Sequence, residues 1–327
     1  MTKLNKKFIW AILLGVATTL AISLISDYRA TLDALSKFKV IYLPLILGLT
    51  FLNYVLRFVK WHYFLNIINV KLNIRQSFTI FLSGLAMSVT PGKVGELLKS
   101  FLLKELKGVP ISKSAPIIFA ERLSDGIGLI VLSLAGMWYF EYGKKVVGLI
   151  ALMLLAMVIL LQFPGFTKKL ITLVSRVKFL QRFEQVMHNL IDSANQLLQP
   201  LPLLFMVIIS VVSWSFECIA FYFVFTGLNY DASLLVSTFT LAFSGIVGAV
   251  SMLPGGLGAT EGSILGLLVL VGVPRNIAAV ATILIRFCTL WFGVLVGLIA
   301  LMSNKRILGF ARKFEADSPA SDAAAGE

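Results

Sequence analysis

Three groups of residues in this 327-residue sequence stand where their neighbours make them costly. The first is FAERLSD, Phe119 to Asp125, which sets Glu121, Arg122 and Asp125 inside an apolar run. Residues three and four apart share one helix face, so this spacing puts a guanidinium beside carboxylates on a single turn. The second group has no local partner: Glu217 in SWSFECIAFYF and Arg286 in ILIRFCTLW. Each needs a partner from another element, and the economical pairing sets Glu217 or Glu261 against Arg286, and Glu96 against Arg122. The third group is two loop-like breaks, TPGKVGELLKS (Thr90 to Ser100, with Pro91, Gly92, Glu96 and Lys99) and LPGGLGATEGS (Leu253 to Ser263, with Pro254, Gly255, Gly256, Gly258 and Glu261). A charge near the bilayer centre costs roughly 2.5–3.5 kcal/mol on insertion scales, so such residues mark either a functional path or structural glue between helices.

The chemistry these groups offer is binding and passage rather than bond-making. Helix N-termini after each Pro-Gly break present free N–H groups and a positive dipole end to an anion. Glu96, Glu217 or Glu261 could carry protons, and Arg122 or Arg286 could hold a phosphate. The glycines after Pro254 faintly resemble a phosphate-binding loop, but no Gly-Lys-Ser/Thr follows. With two histidines, no HExxH, no aspartate-rich metal pair and no nucleophile beside a base, the sequence reads as no enzyme, with no cofactor and no metal. Cys218 and Cys288 lie in apolar runs outside any metal-ligand spacing and read as packing residues.

The elements that must position these residues are membrane helices. The chain is 58% hydrophobic and 14% charged, with a mean hydropathy of +0.91, and several runs reach the roughly 20 apolar residues that cross a bilayer. Its net charge of +13 sits between apolar runs, which fits topology and anionic headgroups and gives no nucleic-acid module. The expected helices are about 8–25, 40–67, 114–140, 146–163, 201–226 and 276–302, with hairpins at 76–108 and 233–271. Phe78-Thr79, Ser83-Gly84, Pro91-Gly92 and Glu96 recur as Phe239-Thr240, Ser244-Gly245, Pro254-Gly255 and Glu261. Gly108-Val109-Pro110 precedes Arg122 at the same distance that separates Gly272-Val273-Pro274 from Arg286.

Two copies of one unit follow, about 8–140 and 146–302. With the N-terminus cytoplasmic, most of the 29 Lys and Arg fall on the inner side, which gives the copies opposite orientations and both termini in the cytoplasm of a cell membrane. The expected fold is an all-α polytopic bundle: an inverted repeat of three helices plus one re-entrant hairpin each, spanning 1–307, with a disordered tail over 308–327. NYVLRFVKWHYF puts Arg57, Lys60 and His62 at the cytoplasmic edge, either for a lipid phosphate or as a snorkelling anchor. Residues 166–199 alternate apolar and basic faces, as an interfacial amphipathic helix does.

NYVLRFVKW, TPGKVGELLKS, FAERLSD and LPGGLGATEGS, in that order over about 40–302, resemble the lysylphosphatidylglycerol synthase transmembrane region, also called uncharacterised protein family 0104. That family includes the flippase domain of the bacterial multiple peptide resistance factor. The resemblance implies a lipid flippase, with Arg57, Glu96, Arg122, Asp125 and Glu261 lining the lipid path. No aminoacyl-transferase domain follows 302, so the chain is not expected to make lysyl-phosphatidylglycerol itself, and the lipid's identity stays open. The resulting expectation is passage of a phospholipid or polyprenyl-linked lipid between leaflets, with anionic membrane lipids as partners and homo-oligomerisation possible; an ion-coupled secondary transporter or channel for a small solute is the alternative.

Overall fold

The computed structural model describes residues 28–90, 95–136 and 192–316, with Gly148 and Leu152 between them. The expected first helix, most of the fourth, most of the amphipathic segment 166–199, and Pro91 and Gly92 lie outside the described residues. Among the described residues every regular element is helical. The chain runs through α1 (Tyr28–Ser36), a 3₁₀ turn (Val40–Tyr42), α2 (Leu43–Ile67), α3 (Ile74–Leu85), α4 (Leu98–Lys107) and α5 (Ile111–Ala135). After the undescribed segment come α6 (Pro200–Gly227), α7 (Leu234–Val250), α8 (Ala259–Leu270), α9 (Arg275–Arg286), a π turn (Phe287–Trp291), α10 (Phe292–Met302) and α11 (Lys305–Ala316).

Three stretches of 28 residues, Val40–Ile67, Pro200–Gly227 and Arg275–Met302, are long and apolar enough to cross a membrane. α5 is of spanning length but carries Glu121, Arg122 and Asp125 in its middle, and it buries Glu121 and Asp125 inside the bundle. The described residues therefore fit an all-α membrane protein.

Local sequence sets matching boundaries at two pairs of turns in the described residues. α2 ends where Asn69 takes φ 57°, with the Val70 N–H on the Leu65 carbonyl; α6 ends where Asn229 takes φ 54°, with the Tyr230 N–H on the Phe225 carbonyl. Asparagine is one of the few L-residues that tolerate this left-handed region. Side-chain caps then start α3 (Asn73 accepting from the Arg75 N–H) and α7 (Ser233 accepting from the Val236 N–H). Left-handed Gly108 and Gly272 follow α4 and α8, and Pro110 and Pro274, at nearly the same dihedrals, open α5 and α9.

α2 and α6 pack along their lengths. Tyr42, just before α2, stacks on Phe223 near the end of α6; Asn53 Nδ2 donates to the Ser213 carbonyl at mid-length; Tyr63 meets Phe205 near the start of α6. The two helices are antiparallel. The other contacts are reciprocal: Gly297 of α10 lies against the backbone of Leu82 and Ala86 at the end of α3, while α7 sets Phe239 against Gly136 and Gly245 against Leu129 at the end of α5. One apolar cluster surrounds Trp61, Phe64, Leu102, Ile117 and Met206, and a second surrounds Phe221, Phe225, Ala242, Ile264 and Ile285. Buried polar side chains, Asn53, Ser124, Asp125, Ser210, Ser213 and Glu217, lie between the two.

One boundary needs correcting. Residues 308–316, expected as disordered tail, belong to α11, which seats Ile307 and Ala311 in the first cluster and reaches Glu105 of α4 through Lys313. Apolar residues at i and i+4 are the reason: KRILGFARKF has one apolar face that needs cover.

Candidate functional site

Thr50, Asn53, Arg57 and Lys60 fall three, four and three residues apart, so they form one polar stripe along the otherwise apolar α2. Ser210, Ser213 and Glu217 repeat the first three positions on α6, 160 residues on, and the Asn53–Ser213 hydrogen bond joins equivalent positions. The stripe on α2 meets the charged turn of α5. Lys60, fully buried, donates to Asp125 Oδ1 at 2.5 Å, to Ser210 Oγ at 2.8 Å and to Ser124 Oγ at 3.1 Å. Ser210 Oγ also donates to Asp125 Oδ1 at 3.1 Å. Lys60 and Trp61 are both at 0% exposure, so the expectation of a snorkelling or edge-anchoring role for this segment is overturned. The stripe turns Lys60 inward because Asp125 and two serines solvate its ammonium there.

Glu121 and Arg122 point to different partners although they are adjacent. Glu121 Oε2 takes a 2.5 Å bond from Lys99 of α4, whose ammonium also lies 4.6 Å from the centre of the Trp61 ring. The Lys99 stem crosses Gly84, where a Cβ would stand only 2.8 Å from its Cγ. Arg122 reaches Glu96 at 3.3 Å and Asp125, on its own helix, at 3.5 Å. Arg57 lies 3.9 Å from the same Asp125 oxygen and 5.7 Å from the Trp214 ring centre. A connected set of ion pairs thus joins α2, the turn before α4, α4 and α5.

The arrangement around Glu261 and Arg286 is simpler. Arg286 Nε donates to Glu261 Oε1 at 2.5 Å and its Nη2 to the Gly255 carbonyl at 2.7 Å. The other Glu261 oxygen accepts the Gly258 N–H at 2.7 Å, so the carboxylate caps α8 while it holds α9. Gly255, Gly256 and Gly258 all take positive φ, which the tip requires and which only glycine adopts without strain. A Cβ on Gly255 would lie 3.2 Å from Val89, so this tip meets the first hairpin. Arg286 leads into the π turn, whose Thr289 carbonyl is taken by the Tyr54 hydroxyl at 2.6 Å. At the positions that correspond in sequence to Lys60, Lys99, Glu121 and Asp125 stand Ala220, Ile264, Ile285 and Thr289.

The two expected pairings, Glu96 with Arg122 and Glu261 with Arg286, are therefore present, the latter settling the choice left open between Glu217 and Glu261. Glu217 is buried on α6 and belongs to its polar stripe. Pro254 and the three glycines form the second tip, whereas Pro91 and Gly92 lie outside the described residues. The inward pairing of Lys60 with Asp125 and Ser210 was not expected; the 3-4-3 spacing of Thr50, Asn53, Arg57 and Lys60 was the available signal. His62 only pairs with Ser77 Oγ at 3.0 Å. Among the described residues no group of three His, Cys, Asp or Glu could hold a metal ion.

Comparison with known proteins identifies the family. Residues 9–297 match the lysylphosphatidylglycerol synthase TM region. A UPF0104 membrane protein of Methanothermobacter thermautotrophicus is 25% identical over 323 residues, covering 89% of this chain and 93% of that one. UPF0104 membrane proteins of Pyrococcus horikoshii and Methanocaldococcus jannaschii are 22% and 26% identical, covering 93% and 65% of this chain and 98% and 91% of theirs. The chain belongs to the family of the lysylphosphatidylglycerol synthase transmembrane region.

Proposed function

We propose that the protein moves a phospholipid or polyprenyl-linked lipid between the leaflets of a cell membrane, its headgroup passing through the polar layer between two oppositely oriented copies. The observation that carries this reading is the buried set of ion pairs on α2, α4 and α5, placed between two apolar clusters. Each membrane charge costs roughly 2.5–3.5 kcal/mol, so several retained together argue for more than glue between helices. Arg122 gives the set an outlet: its side chain is 26% exposed, against 7% or less for Glu96, Lys99, Glu121 and Asp125. A headgroup entering beside Arg122 would meet cations and hydroxyls while its acyl chains stay outside the bundle.

Support for opposite orientation comes from the antiparallel packing of the equivalent helices α2 and α6, and from reciprocal contacts of α3 with α10 and α7 with α5. An inverted pair sharing a central polar site is the common plan of secondary transporters. The re-entrant form of the hairpins is part of the same reading, since the tips carry Pro and Gly and meet one another. In this scheme Glu261 and Arg286 act as a latch that fixes the second tip.

Purified protein in liposomes with a panel of fluorescent lipids, scored by accessibility of the label to an impermeant quencher, tests the reading. Leaflet exchange by the natural protein and its loss in Asp125→Asn is expected. Exchange no faster than in protein-free liposomes, across phospholipids and polyprenyl-phosphate lipids alike, would overturn it.

A further inference from the structure

The charges of the first copy are unequally engaged. Lys60 and Lys99 donate to carboxylates at 2.5 Å. Arg57 and Arg122 donate no side-chain hydrogen bond among the described residues. They approach Asp125 Oδ2 at 3.9 and 3.5 Å, and that oxygen accepts no hydrogen bond. Arg122 Nε is buried without a hydrogen-bond partner, and so is Trp214 Nε1, beneath Arg57. A guanidinium is a planar fork of five donors that fits two oxygens of a phosphate. Two forks therefore flank one point with their donors idle.

A phosphodiester has two unesterified oxygens, one for each fork. Arg286 shows no such idle fork, because it donates to Glu261 and to the Gly255 carbonyl.

We propose that Arg57 and Arg122 form a clamp for the two free oxygens of one phosphodiester, and that Lys60 and Lys99 are positioning residues holding Asp125 and Glu121 in place. The lipid origin of the diester rests on the transport reading above; the anion site itself does not.

The test uses purified full-length protein in non-ionic detergent, with dihexanoyl phosphatidylglycerol as the probe and dimethyl phosphate and pyrophosphate as competitors. Affinity is read by ligand-dependent thermal shift and by native mass spectrometry. Arg57→Lys and Arg122→Lys keep the charge and lose the fork, and should weaken the probe about tenfold or more, the loss of one or two charged hydrogen bonds. Arg275→Lys, at an exposed position, should leave affinity unchanged. Displacement by dimethyl phosphate assigns the clamp to the oxyanion from either source; binding of the lipid diester alone assigns it to the headgroup. Equal affinity in all three variants overturns the clamp, and pyrophosphate competing better than dimethyl phosphate overturns its fit to a diester. Intact binding without leaflet exchange in liposomes would remove the transport reading and leave the clamp standing.

Discussion

Arg286 of α9 and Glu261 of α8 are joined at 2.5 Å, and both carboxylate oxygens are committed, one to the guanidinium and one to the Gly258 N–H. Glu261→Gln keeps an acceptor for Gly258 but strips Arg286 of its counter-charge. Breaking a buried pair from one side costs about 3–5 kcal/mol, so the variant should unfold at clearly lower temperature in detergent. The swap Glu261→Arg with Arg286→Glu should recover part of that loss, although the arginine cannot cap α8. A swap no more stable than either single variant would show that the pair itself is not the source of the effect.

Asp125 is the shared acceptor of the first copy, and its loss should exceed that of any one cation. Lys60→Met leaves Asp125 with Arg122 and Arg57 still beside it, and leaves Ser210 to hydrogen-bond it. The expected penalty is about 1–3 kcal/mol, that of imperfectly satisfied groups. Asp125→Asn strands a fully buried ammonium and loosens two arginines, and should cost about 3–5 kcal/mol. Urea or thermal unfolding of the two variants side by side decides this; Lys60→Met as damaging as Asp125→Asn would mean that Lys60 holds the helices by itself.

Much of this was legible in the sequence because the copies repeat. Glu96 and Glu261 follow matching Pro-Gly breaks, and Arg122 and Arg286 follow matching Gly-Val-Pro turns, so each pairing could be guessed from the other. Lys60 was not, because a lysine beside tryptophan near a helix end also describes an interfacial anchor. Its inward direction depends on α6, which presents Ser210 opposite it. The C-terminal helix was lost for a different reason: its cover, the side of α4 near Phe101 and Glu105, is distant in sequence. The unequal hydrogen bonding of Arg57 and Arg122 is a matter of tenths of an ångström and has no sequence signature.

Glycine positions divide by what a side chain would meet. A Cβ at Gly297 would run into the Ala86 backbone and the Leu82 carbonyl, neither of which can swing aside. Gly297→Val should separate α10 from α3 and sharply reduce the yield of folded protein in size-exclusion chromatography. Gly309, exposed on α11, has open space, and Gly309→Ala should be neutral or gain up to about 1 kcal/mol from helix propensity. A well-folded Gly297→Val would mean that the α3–α10 contact is looser than its geometry.

The proposed opposite orientation of the two copies makes a prediction at their equivalent turns. The α2–α3 and α4–α5 turns of the first copy carry Lys71, Lys107 and Lys113, which line a common pocket, whereas the matching positions of the second copy are Asp231, Val271 and Ile277. Equivalent turns of copies with the same orientation would lie on one side and have no reason to differ so in charge; turns on opposite sides would, because Lys and Arg concentrate on the cytoplasmic side. Cys218 and Cys288 are both buried, so single engineered cysteines can be labelled over a low background. Lys71→Cys and Lys113→Cys should react with an impermeant maleimide only in inside-out vesicles, and Asp231→Cys only in right-side-out cells or spheroplasts. Labelling of all three from one side would overturn the inverted arrangement, whether the hairpins are re-entrant or cross fully, since both forms leave these turns in place.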